Sequence, residues 1–251
     1  MSGHSKWATT KHRKAAVDAK RSKLFSKLSR IITVAAKTGG DPNPANNASL
    51  AAAIEKAKGY SLPKDKIQSA IDKAFGAGEG ATFEEITYEG YGPAGVAIMV
   101  SCLTDNRNRT VAELRNIFSK SGGNLGESGC VSWLFDKKGL IQIPSDSAEE
   151  DAVILATMDA GAEDVRVEED TIEVLCQPED LPKVRDAVTE AGIEYTSAEL
   201  TMLPKNTVTV DNSKEASRVL RLMDALEDND DVQQAYANFD IPDEIMQEAA
   251  A

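Results

Sequence analysis

GVAIMVSCLTDNRNRTVAELRNIFSKSGGNLGESGCVSWLF, residues Gly95–Phe135, decides the architecture. Its first nine residues, Gly95–Leu103, form an apolar run rich in β-branched side chains, which predicts a buried strand. From about Thr110 to Ser119 the apolar residues Val111, Leu114, Ile117 and Phe118 recur at helical steps. Gly122–Gly126 reads as a loop and Cys130–Phe135 as a second strand. With Thr87–Tyr91 extended ahead of it, this strand–helix–strand lacks a second helix and strand. Both stand at the far end of the chain: a helix over Lys214–Glu227, with Val219, Leu220, Leu222, Met223 and Leu226 inward, and a strand over Val232–Phe239. The middle domain is therefore expected to be discontinuous.

What interrupts it is self-contained. Residues 137–203 follow a β-α-β-β-α-β pattern, with strands at Leu140–Ile143, Asp164–Val167, Thr171–Leu175 and Glu194–Leu203. Helices fall at about Ala148–Ala160 and Asp180–Ala191, which is the ferredoxin-like arrangement. Upstream, residues 22–75 read as a helical bundle. Leu24, Phe25, Leu28, Ile31, Ile32 and Ala35 mark one apolar face, and Gly39-Gly40 ends that helix. A second helix spans about Asn47–Lys58, and Pro63 sits in the first turn of a third. Gly76–Gly80 is a linker. The expected class is α+β in three domains: a basic arm and helical bundle at 1–78, a discontinuous α/β domain at 79–136 and 204–251, and an inserted ferredoxin-like acidic domain at 137–203.

Charge is distributed as unevenly as structure. The first thirty residues hold nine Lys or Arg against the single acid Asp18. Residues 1–75 carry a net +10 and the remainder −23, so the whole-chain −13 hides a cationic arm. Such asymmetry points to an arm that binds a polyanion. Residues 1–21 have no clean apolar period and are expected to be mobile until bound. Lys20, Lys23, Lys27 and Arg30 lie on a different side of the first helix from its apolar stripe, which would let it pack by one face and present cations by another. Trp7 is the arm's stacking candidate.

Other motifs carry less. Gly90–Gly95 spells G-x-G-x-x-G but runs into a strand instead of opening a helix, so it is a turn and not a dinucleotide site. Thr104-Asp-Asn-Arg-Asn-Arg-Thr110 joins a strand to a helix. Arg107 and Arg109 could hold an anion there, or Asn108 could simply cap the helix with the arginines solvated. Both histidines lie in the arm, so no Ser-His-Asp or Cys-His set is assembled, and no catalytic residue, cofactor or metal site is expected. Three widely spaced cysteines and no long apolar run point to a cytoplasmic protein with free thiols and no membrane segment. A monomer is the favoured form.

Ser2–Trp7 (SGHSKW), Lys11–Lys14 (KHRK), Asp18–Arg21 (DAKR), Leu62–Asp65 (LPKD), Tyr88–Pro93 (YEGYGP), Leu103–Thr110 (LTDNRNRT) and Phe118–Gly129 (FSKSGGNLGESG) together resemble the YebC/PmpR family. These are bacterial relatives of the mitochondrial translational activator of cytochrome c oxidase. The chain departs from the family pattern at Ala8-Thr-Thr10, at Ala94 where a glycine is usual, and at Cys130 and Trp133. The resemblance implies a three-domain, non-enzymatic protein acting in gene expression, on the ribosome or structured RNA or else as a DNA-binding transcriptional regulator. A protein–protein scaffold using the acidic domains ranks lower. The expected nucleic-acid contacts are Lys6, Trp7, Lys11, His12, Arg13, Lys14, Lys20, Arg21, Lys23, Lys27 and Arg30, with Arg107 and Arg109. The arm suits RNA better than an operator, because phosphate contacts position a protein without reading sequence, and no helix-turn-helix with a polar recognition face is recognisable.

Overall fold

The computed structural model describes residues 18–76, 83–168 and 170–250. They form helices, two four-stranded antiparallel sheets and a short parallel ladder in two compact units, one built from the chain up to Leu134 and from Asn206 onward, the other Phe135–Lys205.

The first unit begins with three helices, α1 (Asp18–Gly39), α2 (Ala48–Gly59) and α3 (Lys64–Phe75). Helix α1 starts four residues earlier than its apolar period announces. The helices bury a common core of Leu28, Ile32, Ala36, Leu50, Ala57, Ile67 and Ile71. Asn47 ties the first two together. Its Oδ1 accepts from Leu50 N at 3.0 Å, capping α2, while its Nδ2 donates to the carbonyls of Ala35 and Asp41. Gly39 is obligatory here, because a Cβ would meet the Asn47 side chain at 2.2 Å. Pro63 stands just before α3 and not inside its first turn.

The sheet of this unit runs in the order β3-β1-β2-β9, from β1 (Glu84–Tyr91), β2 (Ala97–Thr104), β3 (Asn124–Leu125) and β9 (Val232–Ala237). Strand β2 is central and buried on both faces, as its unbroken apolar run requires. It pairs antiparallel with β1 on one side and with β9 on the other, with Val100 opposite Ala235. The C-terminal segment thus completes a sheet whose central strand lies 132 residues earlier (Val100 to Val232 in sequence). Helix α4 (Arg107–Lys120) and helix α7 (Ser213–Asp228) bury Leu114, Phe118, Val219, Leu222, Met223 and Leu226 in the core shared with β2 and β9. Helix α8 (Asp243–Ala250) packs beside α7. A two-residue ladder pairs β8 (Val208–Thr209) with β10 (Phe239–Asp240), and Asn238 accepts the N–H of Ala97 at 2.7 Å.

One expected strand is absent. Cys130–Phe135 is not a strand: Ser132–Leu134 is a tight helical turn, and the strand begins only at Phe135. The cause is Glu89, whose buried carboxylate accepts the N–H groups of Gly129, Val131 and Ser132 at 2.7–2.8 Å. Donors held by a side chain cannot enter a ladder. Burial alone would raise the Glu89 carboxyl; these three donors outweigh it and hold it below the usual range. The Gly90–Gly95 motif is the expected turn, with Ala94 at φ 58° in the left-handed region where glycine is at ease.

The second unit has β4 (Phe135–Pro144), α5 (Glu150–Thr157), β5 (Ala162–Glu168), β6 (Thr171–Cys176), α6 (Leu181–Glu190) and β7 (Ser197–Pro204). Its antiparallel order, β5-β6-β4-β7, is the ferredoxin-like one. Ile141, Ile143, Ile172, Val174 and Cys176 point to one face and pack on Val153, Val184 and Val188 of the two helices.

Candidate nucleic-acid interface

Lys6, Trp7, Lys11, His12, Arg13 and Lys14 lie outside the described residues. Lys20 falls in the first turn of α1. Arg21 is exposed one residue on, its guanidinium 5.3 Å from the centre of the Phe25 ring.

The next three cations of α1 are turned onto the protein itself. Lys23 Nζ lies 3.3 Å from the Asp228 carbonyl, Lys27 Nζ donates to the Glu227 carbonyl at 2.6 Å, and Arg30 reaches the carbonyls of Leu103 and Asp230 and the Asp231 carboxylate. Arg30 also lies over the Phe83 ring at 5.3 Å. Apart from the Leu103 carbonyl of β2, these acceptors cluster at and just beyond the C-terminal end of α7, where the helix dipole is negative and cations are stabilising. Burial depresses the Lys27 ammonium to about 8, against the raising influence of Glu227, Asp230 and Asp228. The polar side of α1, expected to present charge outward, is in large part a docking face.

The Thr104–Thr110 loop does hold an anion, and the anion is internal. Asp231, 3 % exposed, accepts from Arg109 at 2.8 Å, Arg30 at 3.1 Å, Thr110 Oγ1 at 2.8 Å and Thr104 Oγ1 at 3.2 Å. Its desolvation would raise the carboxyl, but the bonds from Arg109 and Thr110 prevail and keep it below the ordinary carboxylate range. Arg109 is raised in turn, first by its bond to Asp231 and then by that to Asp105. The helix cap is Asn106, whose Oδ1 accepts from Arg109 N, and not Asn108. Arg107 is exposed and contributes its backbone carbonyl to Tyr88.

A cleft of about 540 Å³ is lined by Lys23, Arg30, Arg109, Asp105, Asp228 and Asp231 among others. Its three cations are already engaged by its own more numerous carboxylates and by backbone carbonyls, so it is not a reservoir of positive charge. Asp231 was not singled out from the sequence, although a signal existed. Glu227, Asp228, Asp230 and Asp231 crowd the end of a helix where acids are unfavourable, which calls for cations brought from elsewhere.

Among the described residues, no helix is long and apolar enough to cross a membrane. A family model described as the TACO1/YebC second and third domain matches residues 83–239, and one described as the TACO1/YebC protein N-terminal domain matches residues 5–77. A Dictyoglomus turgidum protein named "Probable transcriptional regulatory protein" is 57% identical over 248 residues, covering 98% of this chain and 99% of its own. A protein of the same name from Rubrobacter xylanophilus is 54% identical over the full length of both. The crystal structure of a conserved hypothetical protein, Aq1575 from Aquifex aeolicus, superposes with a TM-score of 0.83 at 47% identity, covering 93% of this chain and 96% of that one. Matches over both halves of the chain, at this identity and coverage, establish that it belongs to the TACO1/YebC family.

Proposed function

We propose that this protein is a non-enzymatic regulator of gene expression that binds nucleic acid through its basic N-terminal arm, and that its target is the ribosome or another structured RNA. Charge segregation carries the proposal: nine cations against one acid in the first thirty residues, on a chain whose remainder is strongly acidic. Lys23, Lys27, Arg30 and Arg109 are engaged internally. The external contacts are therefore assigned to Lys6, Lys11, His12, Arg13, Lys14, Lys20 and Arg21, with Trp7 stacking and Arg107 at the helix start. Helices α4 and α7 each bury one face in the core shared with the sheet.

The names of the relatives favour a second reading, transcriptional regulation through DNA. Competition binding at about 150 mM salt separates the two, with purified ribosomes, random duplex and the DNA upstream of the neighbouring genes as competitors. An operator-specific regulator should prefer its site over random duplex by about a thousandfold or more. We expect no such preference, strong competition by ribosomes, and weakened binding on combining Lys11→Ala, Arg13→Ala and Lys14→Ala. Sequence-selective DNA binding that survives excess random duplex, without ribosome association, would overturn the RNA reading.

A further inference from the structure

We propose that the outer surface of the α4–α7 helix pair is a second polyanion-binding surface, one that takes the sugar–phosphate backbone of folded RNA alongside the arm. It rests on the nucleic-acid reading above and extends it to residues that the arm does not include.

The distribution of cations singles this surface out. Residues 83–134 and 206–251 contain seventeen acids and only seven basic residues, and all seven lie on α4 or α7. Arg109 is consumed by Asp105 and Asp231. Arg115, Lys120, Lys214, Arg218 and Arg221 are exposed, and among the described residues none has an ion pair. The second unit differs, since only Lys137 of its basic residues lacks such a pair among the described residues. In Phe135–Lys205, Lys138, Arg166, Lys183, Arg185 and Lys205 each pair with a carboxylate. Lys214, Arg218 and Arg221 also repeat at four- and three-residue steps, where like charges on a helix repel. Glu215 and Asp224, three residues from Arg218 and Arg221, offset that repulsion only in part, which leaves a net positive stripe for an external anion.

The helix packing brings these residues together. Arg109 and Thr110 in the first turn of α4 donate to Asp231, just after α7, and Asn229 donates to Glu113 half-way along α4 at 2.8 Å, so the start of α4 lies by the end of α7 and the two run antiparallel, as β2 and β9 do. Lys120 is two turns beyond Glu113 on the same side, about 10.5 Å along the axis. The same distance back from Asn229 along α7 reaches Leu222, beside Arg221. With neighbouring axes about 8–10 Å apart, Lys120 and Arg221 share one level, with Arg218 about one turn and Lys214 about two turns further on. Apart from Glu215 in its first turn, the acids of α7 lie toward the opposite end, where Glu227 and Asp228 meet α1. One end of the helix pair is thus neutralised by the bundle and the other is cationic. Guanidinium forks suit phosphate oxygens, and a flat helix layer suits a backbone better than a groove floor.

The test compares the full chain with the variant carrying Arg115→Ala, Lys120→Ala, Arg218→Ala and Arg221→Ala, together with Lys11→Ala/Arg13→Ala/Lys14→Ala in the arm. The probes are purified ribosomes and a single-stranded RNA of about eight nucleotides, a length that one groove or arm can occupy. On ribosomes the helix-pair variant should bind at least about tenfold more weakly, with a salt slope shallower by about 3 for four lost phosphate contacts. On the short RNA it should match the wild type. Arg115→Lys/Arg218→Lys/Arg221→Lys should retain most of the affinity. If the fourfold variant melts lower, Arg218→Gln/Arg221→Gln replaces it, with a slope change of about 1.5 expected. Ribosome affinity and slope equal to wild type, while the arm variant is weakened, would remove the second surface and leave the arm reading intact. A wild-type chain that binds neither RNA would remove both.

Discussion

Asp231 is bound by four donors from three separate elements, and its removal should be felt more than that of any surface acid. Arg30 and Arg109 keep partial contact with water, so Asp231→Asn should cost about 2–3 kcal/mol, at or below the range for breaking a buried pair. The folded carboxyl titrates below its unfolded value. Its contribution is therefore fully present above the unfolded pKa of about 3.9 and lost as the pH falls through the lower folded value. Denaturant melts at neutral and strongly acidic pH should show wild type and Asp231→Asn far apart in the first and converging in the second. A constant gap across that range would contradict the assignment. At this scale the sequence was only partly legible. The Thr104–Thr110 loop left an anion site and a plain helix cap equally open, and the anion it holds was not legible, because the carboxylate arrives from 121 residues away.

Among elements, α1 carries the sharpest contrast between pattern and placement. Its apolar period predicts the face that meets α2 and α3, and Leu28, Ile32 and Ala36 are buried there. Its cationic side follows from the same helical geometry, but whether that side meets water or acid is decided by α7. Lys27 shows the consequence. Burial lowers its folded pKa to about 8 from an ordinary 10.5. Between these values the unfolded chain binds the extra proton, so this group makes stability rise with pH there; below about 8 both states are protonated and its desolvation penalty is complete. Buried thiols work in the opposite direction above pH 9, since burial pushes Cys102 up to about 12. The comparison must therefore be with Lys27→Met. Wild type should gain stability relative to that variant between pH 8 and 10, as measured by urea midpoints. A difference independent of pH would mean that the Lys27 ammonium is solvated.

At the scale of the molecule, the chain divides into a unit interrupted in sequence and one that is continuous. We propose that the second folds alone. Phe135–Lys205 has its own core of Ile141, Ile143, Val153, Ile172, Val174, Val184 and Val188, and both its ends fall at strand boundaries. Expressed by itself it should unfold cooperatively with a stability on the order of 5 kcal/mol, as befits so small a domain. A fragment without a cooperative transition or protected amides would show that it depends on the remainder of the chain.

The amino-acid sequence alone determined the kinds of element, most of the residues they bury and the discontinuity of the middle domain. Those properties follow from periodicity, which backbone geometry imposes over ten or twenty neighbouring residues. It also determined where positive charge is concentrated and which family the chain resembles. It misread Cys130–Phe135, because the donors of that segment are taken by Glu89 some forty residues earlier. Only the tertiary structure decided which cations are spent inside the protein. Arg30 and Asp231 are 201 residues apart. Their pairing depends on how independently formed elements come together, and no local pattern encodes that apposition. The same cause separates Lys23, Lys27 and Arg30, which are docked, from Arg115, Lys120, Arg218 and Arg221, which are not, although in sequence both sets are simply basic residues on amphipathic helices.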